Sequence, residues 1–136
     1  MPSNPAFMRA GVLVVDDEAV IRKLTIKLLK QLGVRDVAET ADGSEALRLL
    51  DKRNFDLILC DIHMDKLDGH GFAQSLRQGA NVRYAPKKAN TPIIFLTSSS
   101  DAYDVLQAKK VKAQGYLLKP LRLESLERKL AKVLGV

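Results

Sequence analysis

Leu57-Ile58-Leu59-Cys60-Asp61-Ile62-His63-Met64-Asp65-Lys66-Leu67-Asp68-Gly69 is the stretch on which the reading of the chain turns. Four apolar residues in a row stop on a single carboxylate, Asp61, and the turn-forming pair Asp68-Gly69 follows. A short apolar run without alternation is how a strand covered on both faces reads, and such strands belong to parallel sheets. In an open parallel sheet, chemistry gathers beyond the carboxyl ends of the strands, which is where Asp61 would sit.

The flanking sequence repeats the pattern. Gly11-Val12-Leu13-Val14-Val15 is a second buried run, ending on Asp16-Asp17. Residues 19 to 32 place Ile21, Leu24, Leu28 and Leu32 at helical spacing, and Gly33 is a natural stop. Residues 34 to 39 read as a short half-polar edge strand, and Asp42-Gly43-Ser44-Glu45 as a capping box before Ala46, Leu47 and Leu50. Asp68-Gly69 opens a helix carrying Phe72 and Leu76 that ends near Gly79. Residues 79 to 91 are polar and basic and read as a long exposed loop. Residues 92 to 97 form a fourth strand ending on Thr97, residues 102 to 113 a helix, and Gly115-Tyr116-Leu117-Leu118 a fifth strand ending on Lys119-Pro120. Leu123, Leu126, Leu130, Val133 and Leu134 mark the last helix, and residues 1 to 10 read as a flexible, frayed tail.

Five alternations of strand and helix imply an α/β fold with helices on both sheet faces. Right-handed crossovers leave few topologies, of which a single-domain, flavodoxin-like (βα)5 doubly wound parallel sheet in strand order 2-1-3-4-5 is the expected one. The 136 residues, 46% of them apolar, suit one core. A single cysteine, Cys60, permits no internal disulfide and reads as a small buried residue, and no segment reaches the length of a membrane span. The expected localisation is cytoplasmic.

Charge is unevenly placed. Residues 1 to 83 carry 12 basic and 12 acidic side chains, whereas residues 84 to 136 carry 10 and 4, so the whole net charge of +6 lies in the last part. Ordinary solvated helix faces account for it, and without aromatic interleaving or a helix-turn-helix pattern nucleic acid is a disfavoured partner.

In a parallel sheet Asp16, Asp17, Asp61, Thr97 and Lys119 meet at one edge. Three carboxylates that close raise each other's pKa unless neutralised, and a hard divalent cation resolves this; Mg²⁺ takes one or two carboxylates plus phosphate oxygens. Lys119 can pair with Asp61 or with a phosphate on it, and Thr97 can donate to a phosphate oxygen. Such a set suits phosphoryl transfer by positioning and electrostatics. Any one of these residues alone is an ordinary cap, turn or surface residue; the constellation carries the reading.

Val14-Val15-Asp16-Asp17-Glu18, the segment 61 to 69, Leu96-Thr97-Ser98 and Tyr116-Leu117-Leu118-Lys119-Pro120 resemble, in order, the four signature motifs of the CheY-like receiver domain of two-component response regulators. The resemblance spans residues 10 to 134, making 11 to 136 the receiver domain with no output domain. It implies that Asp61 takes a phosphoryl group from a histidine kinase or a histidine phosphotransfer protein. It further implies that Asp17 binds Mg²⁺ directly, Asp16 largely through water, and that the backbone carbonyl of His63 is another ligand. Lys119 then holds the phosphate, Thr97 turns toward it, Tyr116 swings from exposed to buried, and the Lys119-Pro120 peptide is cis.

The sequence departs from the family at Asp65, where proline is common, and in the length of the 79 to 91 segment, which resembles extensions in receivers of hybrid kinases. His63 and Ser99 flank the path of water to the acyl phosphate and are expected to set its lifetime. A zinc role for His63 and His70 is disfavoured among such hard oxygens.

The expected function is a stand-alone phosphorelay switch, monomeric or dimerising on phosphorylation. It would present a protein partner with the face built from the helix at 102 to 113, the fifth strand and the last helix, which includes Lys109, Lys110, Lys112 and Arg122. Self-catalysed phosphotransfer and autodephosphorylation make it a signalling module and not an enzyme on other substrates. The alternatives are a relay piece of a hybrid kinase and a phosphorylation-independent binding module. A dehalogenase-type phosphatase needs its second acid two residues after the nucleophile and a cap, and a flavin binder would be repelled by Asp16-Asp17-Glu18.

Overall fold

The computed structural model describes residues 4–64, 67–79, 86–98 and 102–136. Five strands, β1 (Gly11–Val15), β2 (Asp36–Thr40), β3 (Leu57–Asp61), β4 (Ile93–Thr97) and β5 (Gly115–Leu118), form one sheet in the order β2-β1-β3-β4-β5. All four pairings are parallel, with Val15 beside Thr40 and Cys60, Asp61 beside Leu96, and Thr97 beside Leu118. The expected topology is the observed one.

Continuous burial follows from this order. β1, β3 and β4 lie inside the sheet and are buried at all five positions, whereas the edge strands β2 and β5 are only partly covered. Side chains alternate between faces with period two. Leu13, Val15, Ile58, Cys60, Ile93 and Phe95 enter one core with α3 (Gly43–Lys52), α4 (Gly69–Gln78) and α6 (Ala102–Lys110). Val12, Val14, Leu57, Leu59, Ile94 and Leu96 enter the other, with α1 (Pro5–Arg9), α2 (Ala19–Gln31) and α7 (Leu123–Leu134). Two separate cores explain why so small a chain needs so many apolar strand residues.

Local structure corrects three expectations. Residues 5 to 9 are not a frayed tail: Asn4 caps α1 by accepting from the Ala6 amide at 2.9 Å, and Phe7 is buried in the core shared with α7. The chain therefore contributes to the core under α2 and α7 before β1 begins. Within α2 the buried stripe is Thr25 and Leu29, continued by Leu32, while Leu24 is 39% exposed. The stripe is displaced by about one position because Thr25 satisfies its hydroxyl on the Ile21 carbonyl at 2.9 Å and is buried as an apolar residue would be. Third, residues 86 to 89 of the supposed loop form a helical turn, α5 (Pro86–Ala89), with Ala89 and Thr91 buried. Residues 80 to 85 of that segment lie outside the described residues.

The capping box of α3 is half formed. Asp42 accepts from the Glu45 amide at 2.7 Å, but the Asp42 amide turns to the Thr40 hydroxyl at 3.4 Å and not to the Glu45 side chain.

Candidate functional site

The parallel register delivers Asp16 and Asp17 after β1, Asp61 at the end of β3, Thr97 at the end of β4 and Lys119 after β5 to one edge of the sheet. Lys119 is the centre of the constellation. Its Nζ lies 3.3 Å from Asp16 Oδ2, 3.4 Å from Asp61 Oδ1 and 2.9 Å from Glu18 Oε1. The Lys119 amide donates to the Thr97 carbonyl at 2.8 Å, which ties the lysine's backbone to the end of β4; the Lys119-Pro120 peptide is cis. One ammonium thus faces three carboxylates.

The carboxylates differ in surroundings. Asp16 is fully buried and Asp61 is 3% exposed, while Asp17 and Glu18 are exposed at the rim. Asp16 Oδ1 accepts from the Glu18 amide at 2.9 Å, whereas its buried Oδ2 is met at 3.3 Å by the Lys119 ammonium, which it shares with Asp61 and Glu18. One ammonium does not neutralise three carboxylates, so a second cation at this edge would relieve the buried charge. Oxygens of Asp16, Asp17, Glu18 and Asp61 lie within 4.8 Å of one another. An all-oxygen set of this compactness fits a hard divalent cation of the Mg²⁺ kind. Among the described residues, this metal-competent group contains neither His63 nor His70; His70 instead packs edge-on against Phe95, ring centroids 5.2 Å apart.

Electrostatics follow the same geometry. Burial pushes the Asp61 carboxyl up to about 6, with Asp16 adding to the rise and Lys119 and the His63 backbone amide opposing it. Burial pulls Lys119 down, but the bond to Glu18 and the charges of Asp61 and Asp16 outweigh it and leave its pKa above the ordinary value. Above pH 6 both members of the pair are therefore charged, and Asp61 is a nucleophile held beside a cation.

Supporting contacts hold this edge in place. Arg22 donates to the Asp16 carbonyl at 2.7 Å and to Glu39 at 2.8 Å, tying the β1 turn to β2. The Gly69 amide donates to the Ile62 carbonyl at 2.8 Å, and Asp68 caps α4 through the Gly71 amide at 2.7 Å. A Cβ on Gly69 would stand 2.5 Å from the Asp61 carbonyl oxygen and 2.8 Å from Ile62 Cα. Both are backbone atoms, so Gly69→Ala is expected to cost about 2 kcal/mol in urea unfolding. A cost below about 0.5 kcal/mol, within the range of neutral surface changes, would show that α4 moves aside freely.

Among sequence candidates, Asp16, Asp17, Asp61 and Lys119 converge, and Thr97 is buried at the same edge. Tyr116 lies beside Phe95 on β5, half-buried against the core under α4 and α6. His63 follows the acceptor with its side chain exposed, within 3.5 Å of Asp104. Asp65 and Ser99 lie outside the described residues. Glu18 appeared in the sequence only as part of an acidic turn; its role as a partner of Lys119 depends on a residue from the far end of the chain. Cys60 is buried, and burial raises its thiol pKa well above the ordinary value, as suits a packing residue.

Residues 12–131 match the family model described as the response regulator receiver domain. The chain is 37% identical over 123 residues to the probable transcriptional regulator ycf27 of Porphyridium aerugineum, covering 90% of this chain and 47% of that protein. It thus spans about half the length of the ycf27 relatives it matches. Among solved structures, the chemotaxis protein CheY4 of Vibrio cholerae superposes with a TM-score of 0.81 at 34% identity, covering 91% of this chain and 98% of that one. The receiver domain of a sensor histidine kinase from Pseudomonas aeruginosa PAO1, solved with a magnesium ion coordinated in its active-site cleft, gives a TM-score of 0.79 at 29% identity, covering 93% and 98%.

Proposed function

The chain belongs to the response regulator receiver family, and from that premise we propose that it is a phosphorylation-operated switch in which Asp61 accepts the phosphoryl group of a histidine kinase or phosphotransfer protein. The observation that carries the reading is the buried Asp61 carboxylate 3.4 Å from Lys119 in an acidic cluster that Lys119 alone does not neutralise. An Asp61 oxygen attacks phosphorus, the phosphorus–nitrogen bond to the donor imidazole breaks, and the electron pair leaves with the imidazole. Lys119 is placed to pair with the incoming phosphate oxygens, and Thr97, at the end of the neighbouring strand, to donate to one of them. Asp16, Asp17, Asp61 and the His63 carbonyl would hold Mg²⁺, which when bound neutralises charge on the phosphate and the carboxylates.

The output follows from where these residues sit. Thr97 and Tyr116 lie on β4 and β5, directly beneath α6, so drawing them toward a phosphate reshapes the surface of α6, β5 and α7. That surface exposes Leu106 and Leu118 among Lys109, Lys110, Lys112 and Arg122, a combination suited to an acidic protein partner with an apolar anchor. No helix among the described residues is long and apolar enough to cross a membrane; the cytoplasm, where histidine kinases present their phosphoryl groups, is the proposed place of action. Residues 11 to 136 act as the receiver unit, monomeric or paired through this surface when phosphorylated.

Intact-mass measurement after incubation with Mg²⁺ and acetyl phosphate tests the reading. The expected result is a gain of one phosphoryl group that is absent in Asp61→Asn. No gain in the unmodified protein, or an equal gain in the variant, would remove Asp61 from the role.

A further inference from the structure

We infer that Arg22, anchored by Glu39, is a positioning residue for the acid pair Asp16-Asp17 and sets how tightly this edge binds a divalent cation; this rests on the Mg²⁺ part of the proposed function. The observation is a relay of three groups. Glu39 Oε1 on β2 accepts from Arg22 Nε at 2.8 Å, and Arg22 Nη1 donates to the main-chain carbonyl of Asp16 at 2.7 Å. That carbonyl belongs to the peptide joining Asp16 to Asp17, so fixing it fixes the plane from which both carboxylates spring.

The reach of Arg22 follows from the start of α2. Glu18 is the N-cap, and its carbonyl accepts from the Arg22 amide at 2.8 Å, which places Arg22 in the first turn. Helical side chains lean toward the N-terminus, so the guanidinium runs back past Glu18 to the end of β1. Its side chain is 15% exposed, and its planar fork serves two acceptors at once. Glu39 is the anchor: Arg22 and then Lys23, the latter at 2.9 Å, hold its carboxyl below the ordinary value, so it stays ionised. The peptide before Asp16 is fixed separately, through the Asp16 amide on the Thr40 carbonyl at 3.1 Å. Asp17 is exposed, so its carboxylate is placed by its backbone more than by packing.

The sign of the effect separates positioning from the competing roles. A guanidinium beside an acidic cluster repels an incoming cation, so a role through charge alone would make removal of Arg22 tighten Mg²⁺ binding. A role only as a tie between α2 and β2 would lower stability and leave the affinity unchanged. Positioning weakens binding on removal, because loosened carboxylates must be ordered when the cation arrives.

The experiment titrates the full chain and its variants with MgCl₂, follows amide chemical shifts by NMR, and reads the dissociation constant without any phosphodonor. Arg22→Ala is expected to weaken Mg²⁺ binding about tenfold. Arg22→Lys keeps the charge without the fork and is expected to recover less than half of that loss. Glu39→Ala is expected to weaken binding when Arg22 is present and to add nothing in the Arg22→Ala background. Should Arg22→Ala not fold, Arg22→Lys and Glu39→Ala carry the test. Unchanged or tighter binding in these variants, or an equal loss from Glu39→Ala with and without Arg22, overturns the inference while leaving the Mg²⁺ site in place. Absence of Mg²⁺ binding in the unmodified protein overturns both.

Discussion

Asp61→Asn is expected to stabilise the metal-free protein by about 3 kcal/mol at pH 7.5, and by about half as much at pH 5. The sign follows from burial. In the folded chain the Asp61 carboxyl stands at about 6, against an ordinary value of 3.8, so between these values the native state holds a proton that the unfolded state has lost. Stability from this group is complete below pH 3.8 and is lost as pH rises through 6, because ionising a carboxyl that is 3% exposed beside Asp16 is resisted by the fold. Asparagine matches the shape of the protonated acid and never ionises, so it removes the penalty. Paired urea titrations of the two proteins in the presence of a chelator, at pH 5 and 7.5, measure the gap. A variant that is less stable than the parent at pH 7.5, or a gap that shrinks as pH rises, would mean that Lys119 already compensates Asp61 in full. The same carboxylate limits activity from the other side. With Mg²⁺ bound, the cation's charge favours the ionised carboxylate, so phosphoryl acceptance is expected to persist to lower pH than the metal-free value of about 6.

Stability surrendered at a site is often visible in sequence as a local rule broken, and here it was: a buried apolar run ending on a carboxylate has no structural reason to do so. The strands were legible for the same reason. Uninterrupted apolar runs such as Leu57 to Cys60 state both their conformation and their burial on two faces, and right-handed crossovers then leave little freedom of order. What local pattern did not convey were partnerships across the fold. Thr25 reads as polar, yet its hydroxyl is closed on its own helix, which displaced the apparent face of α2. Phe7 follows Pro2 and Pro5, which read as loop signals, yet Asn4 caps a helix that starts at Pro5 and Phe7 packs in the core shared with α7, which arrives at the other end of the chain. Glu18 meets Lys119, and His63 meets Asp104, only because parallel strands bring their following turns together. Neither spacing nor periodicity encodes such pairs.

Arg77 is the strongest instance, and Arg77→Ala is expected to destabilise the protein by about 4 kcal/mol. On sequence it is a polar residue near the end of α4. In the fold its Nε donates to the Val111 carbonyl at 2.9 Å, Nη1 to those of Ala89 at 2.9 Å and Thr91 at 2.7 Å, and Nη2 to that of Lys112 at 3.2 Å. These four carbonyls belong to the chain entering β4 and the chain entering β5, so one guanidinium ties α4 to two strand approaches. None of these partners is a carboxylate, and burial lowers the pKa of Arg77, so the side chain is held by geometry more than by charge pairing. Lys112 has a left-handed backbone, φ 57°, which is strained for a side chain of its size and is held in place by this bond and by its own amide on the Lys109 carbonyl. Truncation leaves several partly buried carbonyls without donors at once. Arg77→Lys separates fork from charge: a single ammonium cannot donate in four directions from one position, so lysine is expected to recover less than half of the loss. Urea unfolding of the parent and both variants reads this directly. Full rescue by lysine, or a loss under about 1 kcal/mol in the alanine variant, would assign the contacts to solvent-replaceable surface bonds.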